Sequence, residues 1–378
     1  MNELHTFAFK THVSKKGKIL VAMSGGIDST VTAMLLHEQG YEVIGITMKT
    51  WDYAGSGGSK KETGCCSLDS INDARQVAVT MGFHHFIVDI REEFGDYVID
   101  NFVDEYIAGR TPNPCVLCNT HIKWEAMLRR ADALDCEHIA TGHYARILQD
   151  ASSGRHFVRK AVDLNKDQSY VLWGLSQDCL NRSVFPLGEM TKPEVRKVAS
   201  DRGYEAMANK PESYEICFVP DNDYRGFLKR RVPDLEESVQ GGQFVNSAGE
   251  VLGTHDGYPF YTIGQRRGLG LAFGDPMYVT DIDPVANQVT LGRVDELLRS
   301  GMMVNQVNSM KYDQIPDGGE LITKVRYRDP GTLSSVLNVE DKLRVEFMAN
   351  VRGVAPGQSA VFYEGEDVVG GGIIYSSI

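Results

Sequence analysis

Along the first 150 residues, short apolar runs alternate with longer stretches whose apolar residues recur every three or four positions. KILVAMS (18–24), YEVIGITMK (41–49), HHFIVDI (84–90) and EHIATGH (137–143) read as strands, the first of them buried. Between them, DSTVTAMLLHEQG (28–40) places Val31, Met34 and Leu35 on one helical face and stops at Gly40. Ser67 or Ser70 can cap a helix that runs to Met81-Gly82, and REEFGDYVIDNFVDEYIAG (91–109) is helical up to its glycine. After the turn RTPNPC another helix is expected from about 118 to 135. Strands alternating with helices predict an α/β fold, a parallel sheet with right-handed crossovers.

Beyond residue 150 the pattern changes. SYVLWGLSQ and TKPEVRKVASDRG read as helices, the second with Thr191 and Glu194 spaced as a capping box. From about 219 onward, stretches such as GGQFVNSAGEVLG and MYVTDIDPVANQVTLG combine β-branched residues with glycine turns, as small β-barrels do. The expected organisation is an N-terminal extension (1–17), an α/β domain (18–215), a small central β-rich domain (216–300) and a C-terminal β-barrel (301–378). No internal repeat or low-complexity tract is present.

A chain of 378 residues exceeds what one hydrophobic core organises, and 42% hydrophobic with 24% charged residues is ordinary for a soluble globular protein. No apolar run approaches the ~20 residues of a membrane helix. The first residues also lack a signal-peptide core, so a cytoplasmic protein with no membrane partner is expected. Seven cysteines, an odd number, point away from a disulfide framework and toward reactive thiols or metal ligands. The net charge of −12 argues against a nucleic-acid binder when taken over the whole chain. Local clusters qualify that: Arg129-Arg130, Arg159-Lys160, Arg196-Lys197, Arg225 with Lys229-Arg230-Arg231, Arg266-Arg267 and Arg326-Tyr327-Arg328. They are compatible with an RNA footprint or with solvated helix faces.

VAMSGGIDST (21–30) carries the first candidate chemistry. Strand, glycine pair and helix are laid out as a phosphate-binding turn, yet Ile27, Asp28 and Ser29 stand where a P-loop has its lysine. Gly25 and Gly26 permit close backbone approach, Ser24 and Ser29 add hydroxyls, and Asp28 beside phosphate implies a bridging Mg²⁺. A tight turn holding no ligand is the plain alternative. The string S-G-G-x-D-S resembles the loop of the PP-loop ATP pyrophosphatases. That resemblance implies an adenine-nucleotide α-hydrolase-like sheet, ATP as cosubstrate, and a nucleophile adenylated with loss of pyrophosphate.

Further strings narrow the nucleophile. GRTPNPCVLCN (109–119), ATGHYAR (140–146), NKDQSYVLWGL (165–175), YEICFVP (214–220) and GQRRGLGL (264–271) resemble the tRNA-specific 2-thiouridylase family from about residue 18 to the C-terminus. The resemblance implies thiolation at C2 of the wobble uridine in tRNAs for Lys, Glu and Gln. It gives Cys217 a persulfide, loaded by an upstream sulfur-donor protein, and makes Cys118 the partner that closes a transient disulfide. A predicted helix N-terminus at Cys118 favours its thiolate. The resemblance also implies that Ala22, Met23, Ser24, Gly25, Gly26, Ile27, Asp28, Ser29, Met48 and Gly142 line the ATP site. Asn113, Pro114 and Cys115 would approach the target base, and His143, Lys166, Asp167, Gln168, Arg326, Tyr327 and Gln358 would touch tRNA. Cys65, Cys66, Cys136 and Cys179 match no catalytic position and read as structural.

Cys115 departs from the pattern, because the family's well-known members have an aspartate there. Cys115, Cys118 and Cys217 together could ligate a [4Fe–4S] cluster, or Cys115 could serve as a weaker base or as packing. Two other functions stay open: a PP-loop ligase or amidotransferase acting on a small metabolite, and a non-catalytic, redox-responsive tRNA-binding protein.

Overall fold

The computed structural model describes residues 16–51, 67–210, 216–219 and 222–378. Outside them lie most of the N-terminal extension, the loop with Cys65 and Cys66, and Tyr214, Glu215 and Pro220 of the YEICFVP string.

The first sheet is parallel throughout. Its strands run in the order His84–Asp89, Glu42–Lys49, Lys18–Ala22, His138–Ala140 and Ser183–Val184. Ile19, Leu20 and Val21 of the central strand are wholly buried, as a strand covered on both faces requires. Strand order reverses at this central strand: the next strand in sequence lies on one side and a later one on the other. Its carboxyl end therefore opens into the crevice where such sheets hold ligands, and the SGGIDS turn emerges there.

Several helices start or break where periodicity did not place them. The run expected from about 118 begins at Pro114, with Asn113 preceding it. Proline at the first helical position loses nothing, since that amide has no acceptor within the helix. Cys118 is therefore one turn inside the run and not at its N-terminus. A π-helical turn, Cys118–Lys123, joins Pro114–Leu117 to Trp124–Ala133. Another, Gly95–Ile99, interrupts the run from Arg91 to Ile107. SYVLWGLSQ is no single helix but a 3₁₀ turn, Ser169–Leu172, followed by a helix from Gln177. Gly174 lies between them, where a Cβ would fall 2.2 Å from Thr120 Oγ1.

A second sheet contains Tyr278–Asp283, Gln288–Gly292, Gly242–Val245 and Val251–His255 in that order. In the third, Leu298–Ser309 pairs with both Lys342–Arg352 and Asp367–Ser377, closing a barrel through Thr332–Val339, Gly319–Lys324 and Ser359–Glu364. The hairpin Ala145–Gln149 and His156–Lys160 extends this sheet from the side of the first domain. Apolar clusters cross the same borders. Trp124, Leu172, Val361 and Tyr363 share one, and Phe102, Cys118, Phe218, Phe227 and Phe244 share another. The β-rich parts are thereby fixed against the crevice.

Candidate active site

A cavity of about 240 Å³ opens at the carboxyl edge of the first sheet. Ala22, Met23, Ser24, Asp28 and Ser29 form its floor, with Met48, Gly142, His143 and Gln168 around it. The loop is held by its own hydroxyls. Ser24 N donates to Ser29 Oγ at 3.1 Å, and Ser29 Oγ donates to Gly26 O at 3.1 Å. Gly25 has φ +68°, and a Cβ there would meet Ser70 O at 2.0 Å, so only glycine fits. Ile27 does not face the cavity; it is buried with Val31, Met34 and Leu187.

Asp28 has partners no local pattern revealed. Lys192 Nζ donates to its two carboxylate oxygens at 2.7 and 2.9 Å, and Tyr144 OH donates to Oδ1 at 2.7 Å. Lys192 is 6% exposed and begins the helix capped by Thr191 and Glu194. Lys210 Nζ donates to Gly25 O at 3.0 Å and to Asp73 Oδ2 at 2.7 Å. Lysines from remote segments thus reach a loop whose own sequence contains none.

Of the residues expected to touch RNA, two line the cavity. Gln168 accepts from Tyr144 N through Oε1. His143 lies between Trp124 and Phe185, ring centroids 5.6 and 5.9 Å away, with Nδ1 2.7 Å from Thr141 Oγ1. Burial first, and the Lys123 charge second, lower its pKa to about 3, so the imidazole is neutral near pH 7. Asp167 turns inward, accepting from Ala161 N, Ser169 N and Ser169 Oγ. Tyr327 OH donates to Asp167 O at 2.8 Å, while Arg326 and Tyr327 are exposed on the barrel and Lys166 is half-buried. Gln358 Nε2 donates to Thr111 O and Pro112 O, both at 3.0 Å. The barrel therefore grips the loop that presents Asn113 and Cys115.

The cysteines divide. Cys118 is 6% exposed in the apolar cluster around Phe218, and half-buried Cys217 packs against that same cluster. Phe218 anchors it among Trp51, Phe94, Phe102 and Phe227, with centroids 5.2 to 6.3 Å away. Cys115 reaches solvent from within dense protein surroundings; burial pushes its thiol up and the Lys123 charge pulls it part-way back. Among the described residues no three Cys, His, Asp or Glu side chains converge to hold a metal ion. An iron–sulfur cluster on Cys115, Cys118 and Cys217 therefore does not fit, because Cys118 points into the apolar cluster and Cys115 does not. Cys136 and Cys179 are buried, and burial raises both thiols, Cys136 to about 11.

Three family models cover nearly the whole chain: a tRNA methyl transferase HUP domain at residues 17–221, a tRNA methyl transferase PRC-barrel domain at 225–293, and an aminomethyltransferase beta-barrel domain at 299–374. The tRNA-specific 2-thiouridylase MnmA of Amoebophilus asiaticus is 64% identical over 365 residues, 96% of each chain. That of Cytophaga hutchinsonii is 63% identical over 366 residues, 97% of this chain and 99% of the relative. The chain belongs to the tRNA-specific 2-thiouridylase family. A solved 4-thiouridine synthetase–RNA complex with bound ATP aligns over 58% of this chain and 51% of that one, at 19% identity and TM-score 0.35, too weakly to add to the argument. Within the family's fold, Lys123, Met127, Thr47, Thr50 and Thr141 also line the cavity, and sequence reasoning missed all of them. For Lys123 a signal existed, five residues past the C-x-x-C; for Lys192 there was none beyond a helix cap.

Proposed function

We propose that the chain is an ATP-dependent tRNA-uridine 2-sulfurtransferase, acting in the cytoplasm on the wobble uridine of tRNAs for Lys, Glu and Gln. The observation that carries this reading is the helical run from Pro114. One edge bears Cys118, Ile122 and Ala126 in the cluster that holds Cys217, and the neighbouring edge bears Lys123 and Met127 on the wall of the cavity. One helical run thus borders both the cavity of the nucleotide loop and the cluster of the two thiols. The relatives' printed name describes this activity. The methyl transfer in the family models' descriptions would leave both thiols without a role.

The chemistry follows from leaving groups. A uracil C2 oxygen is not displaced by sulfur unaided. Attack of O2 on the α-phosphorus of ATP expels pyrophosphate and turns that oxygen into part of AMP. The terminal sulfur of a Cys217 persulfide then bonds to C2 and AMP leaves. Cys118 thiolate attacks Cys217 Sγ, breaking the sulfur–sulfur bond; the sulfur stays on C2 and a Cys118–Cys217 disulfide forms. An external thiol reductant reopens it, and a persulfide-carrying donor protein reloads Cys217. Ser24, Gly25, Gly26 and Ser29 would cradle the phosphates. Asp28, the one carboxylate on the cavity wall among the described residues, is the residue that would hold Mg²⁺, whose charge would neutralise the leaving pyrophosphate.

Mass analysis of nucleosides tests the proposal, using tRNA incubated with the chain, ATP, Mg²⁺ and a persulfide source. Expected is 2-thiouridine with the wild type and none with Cys217→Ser or Cys118→Ser, while Cys217→Ser still releases pyrophosphate when tRNA is present. Normal thiolation by either variant, or none by the wild type, would contradict it.

A further inference from the structure

Among the described residues that line the cavity, Lys123 is the one lysine or arginine. His143 is the other nitrogen base on that wall, and burial between two aromatic rings holds it neutral. A nucleoside triphosphate brings several negative charges into this space, and its α-phosphorus gains charge as O2 bonds to it.

Lys123 sits at a local irregularity. It ends the π-helical turn Cys118–Lys123, which holds one residue more than an α turn. Ile122 and Ala126 remain in the cluster with Cys118, whereas Lys123 and Met127 face the cavity. Lys123 thus lies on the cavity wall next to the residue, Ile122, that packs with Cys118, and its charge acts on both Cys115 and His143. π turns of this kind recur at functional sites.

We infer that Lys123 is a further catalytic residue, the ammonium that meets the α-phosphate as the uridine is adenylated. The inference rests on the sulfurtransferase reading. In the step, the bond from uracil O2 to the α-phosphorus forms and the bond from that phosphorus to the bridging oxygen breaks. Pyrophosphate leaves with the electron pair, the uracil N3 proton passes to water, and Lys123 stays protonated throughout. Its charge is worth most where water is excluded and the group needs no reorganisation.

The test is tRNA-dependent pyrophosphate release by the full chain under saturating ATP. Lys123→Met should lower kcat by about 100-fold, the scale of one preorganised charge contact, with tRNA affinity within about twofold. Lys123→Arg should keep part of the rate. Lys123→Ala should regain about tenfold on addition of ethylammonium, a gain that loss of packing alone would not produce. A kcat for Lys123→Met within about threefold of wild type would overturn the inference, as would no rescue of a Lys123→Ala protein with a wild-type melting curve. If the wild type itself releases no pyrophosphate with tRNA, the sulfurtransferase reading fails; if only the variants match an active wild type, Lys123 alone is reassigned.

Discussion

At the scale of the residue, the SGGIDS turn was legible and its electrostatics were not. Glycines and hydroxyls declare themselves within six positions, but Lys192 reaches Asp28 from 164 residues away. Reading Asp28 only against phosphate suggested Mg²⁺ as its counter-charge; the fold supplies Lys192 and Tyr144 first. The pair is asymmetric, Lys192 side chain 8% and Asp28 34% exposed, so solvent screens it partly. Lys192→Met leaves the carboxylate uncompensated and should cost about 1–3 kcal/mol, less than a fully buried pair. Asp28→Asn combined with Lys192→Met should recover part of that, because both charges are gone. Urea midpoints of the single and double variants measure it; a Lys192→Met midpoint equal to wild type would show that the pair contributes nothing. The Cys115 thiol illustrates the reverse case. Its place in a C-x-x-C suggested a cluster ligand, and only side-chain directions, which spacing does not encode, separate it from Cys118.

At the scale of the element, the four strands expected up to residue 143 appear to within a few residues, whereas Ala145–Gln149, His156–Lys160 and Ser183–Val184 were not anticipated. Helix starts were less legible. RTPNPC reads as a turn by its prolines, yet Pro114 suits the first helical position, and the run begins four residues before Cys118. The π turn at Cys118–Lys123 was not legible, because Cys118, Ile122 and Ala126 keep the four-residue spacing of an ordinary helix across it. EHIATGH pairs only as His138–Ala140, and beyond it the chain presses on the nucleotide loop. A Cβ on Gly142 would lie 2.9 Å from Asp28 C and 3.0 Å from Ser29 N, backbone atoms that cannot step aside singly. Gly142→Ala should therefore raise KM for ATP at least about tenfold and destabilise by about 1–3 kcal/mol, as overpacking does. Steady-state kinetics and thermal melts check this; an unchanged KM would mean that the strand end and the loop move independently.

At the scale of the whole molecule, alternation predicted the parallel sheet and the glycine-rich stretches predicted barrels. How the parts interlock was not legible. The hairpin Ala145–Lys160 joins the barrel's sheet, and Gln358 holds the loop before Asn113, both through contacts more than 200 residues apart in sequence. Such contacts depend on tertiary placement, which local pattern does not carry. Together they tie the barrel to the hairpin and to the segment that leads into the helical run beside the nucleotide cavity, and the central claim is that oxygen leaves uracil as part of AMP. The most direct measurement uses tRNA whose wobble uridine carries ¹⁸O at O2, with mass analysis of the products after thiolation. The account predicts one ¹⁸O in AMP and none in pyrophosphate for each 2-thiouridine formed; unlabelled AMP beside 2-thiouridine would contradict it.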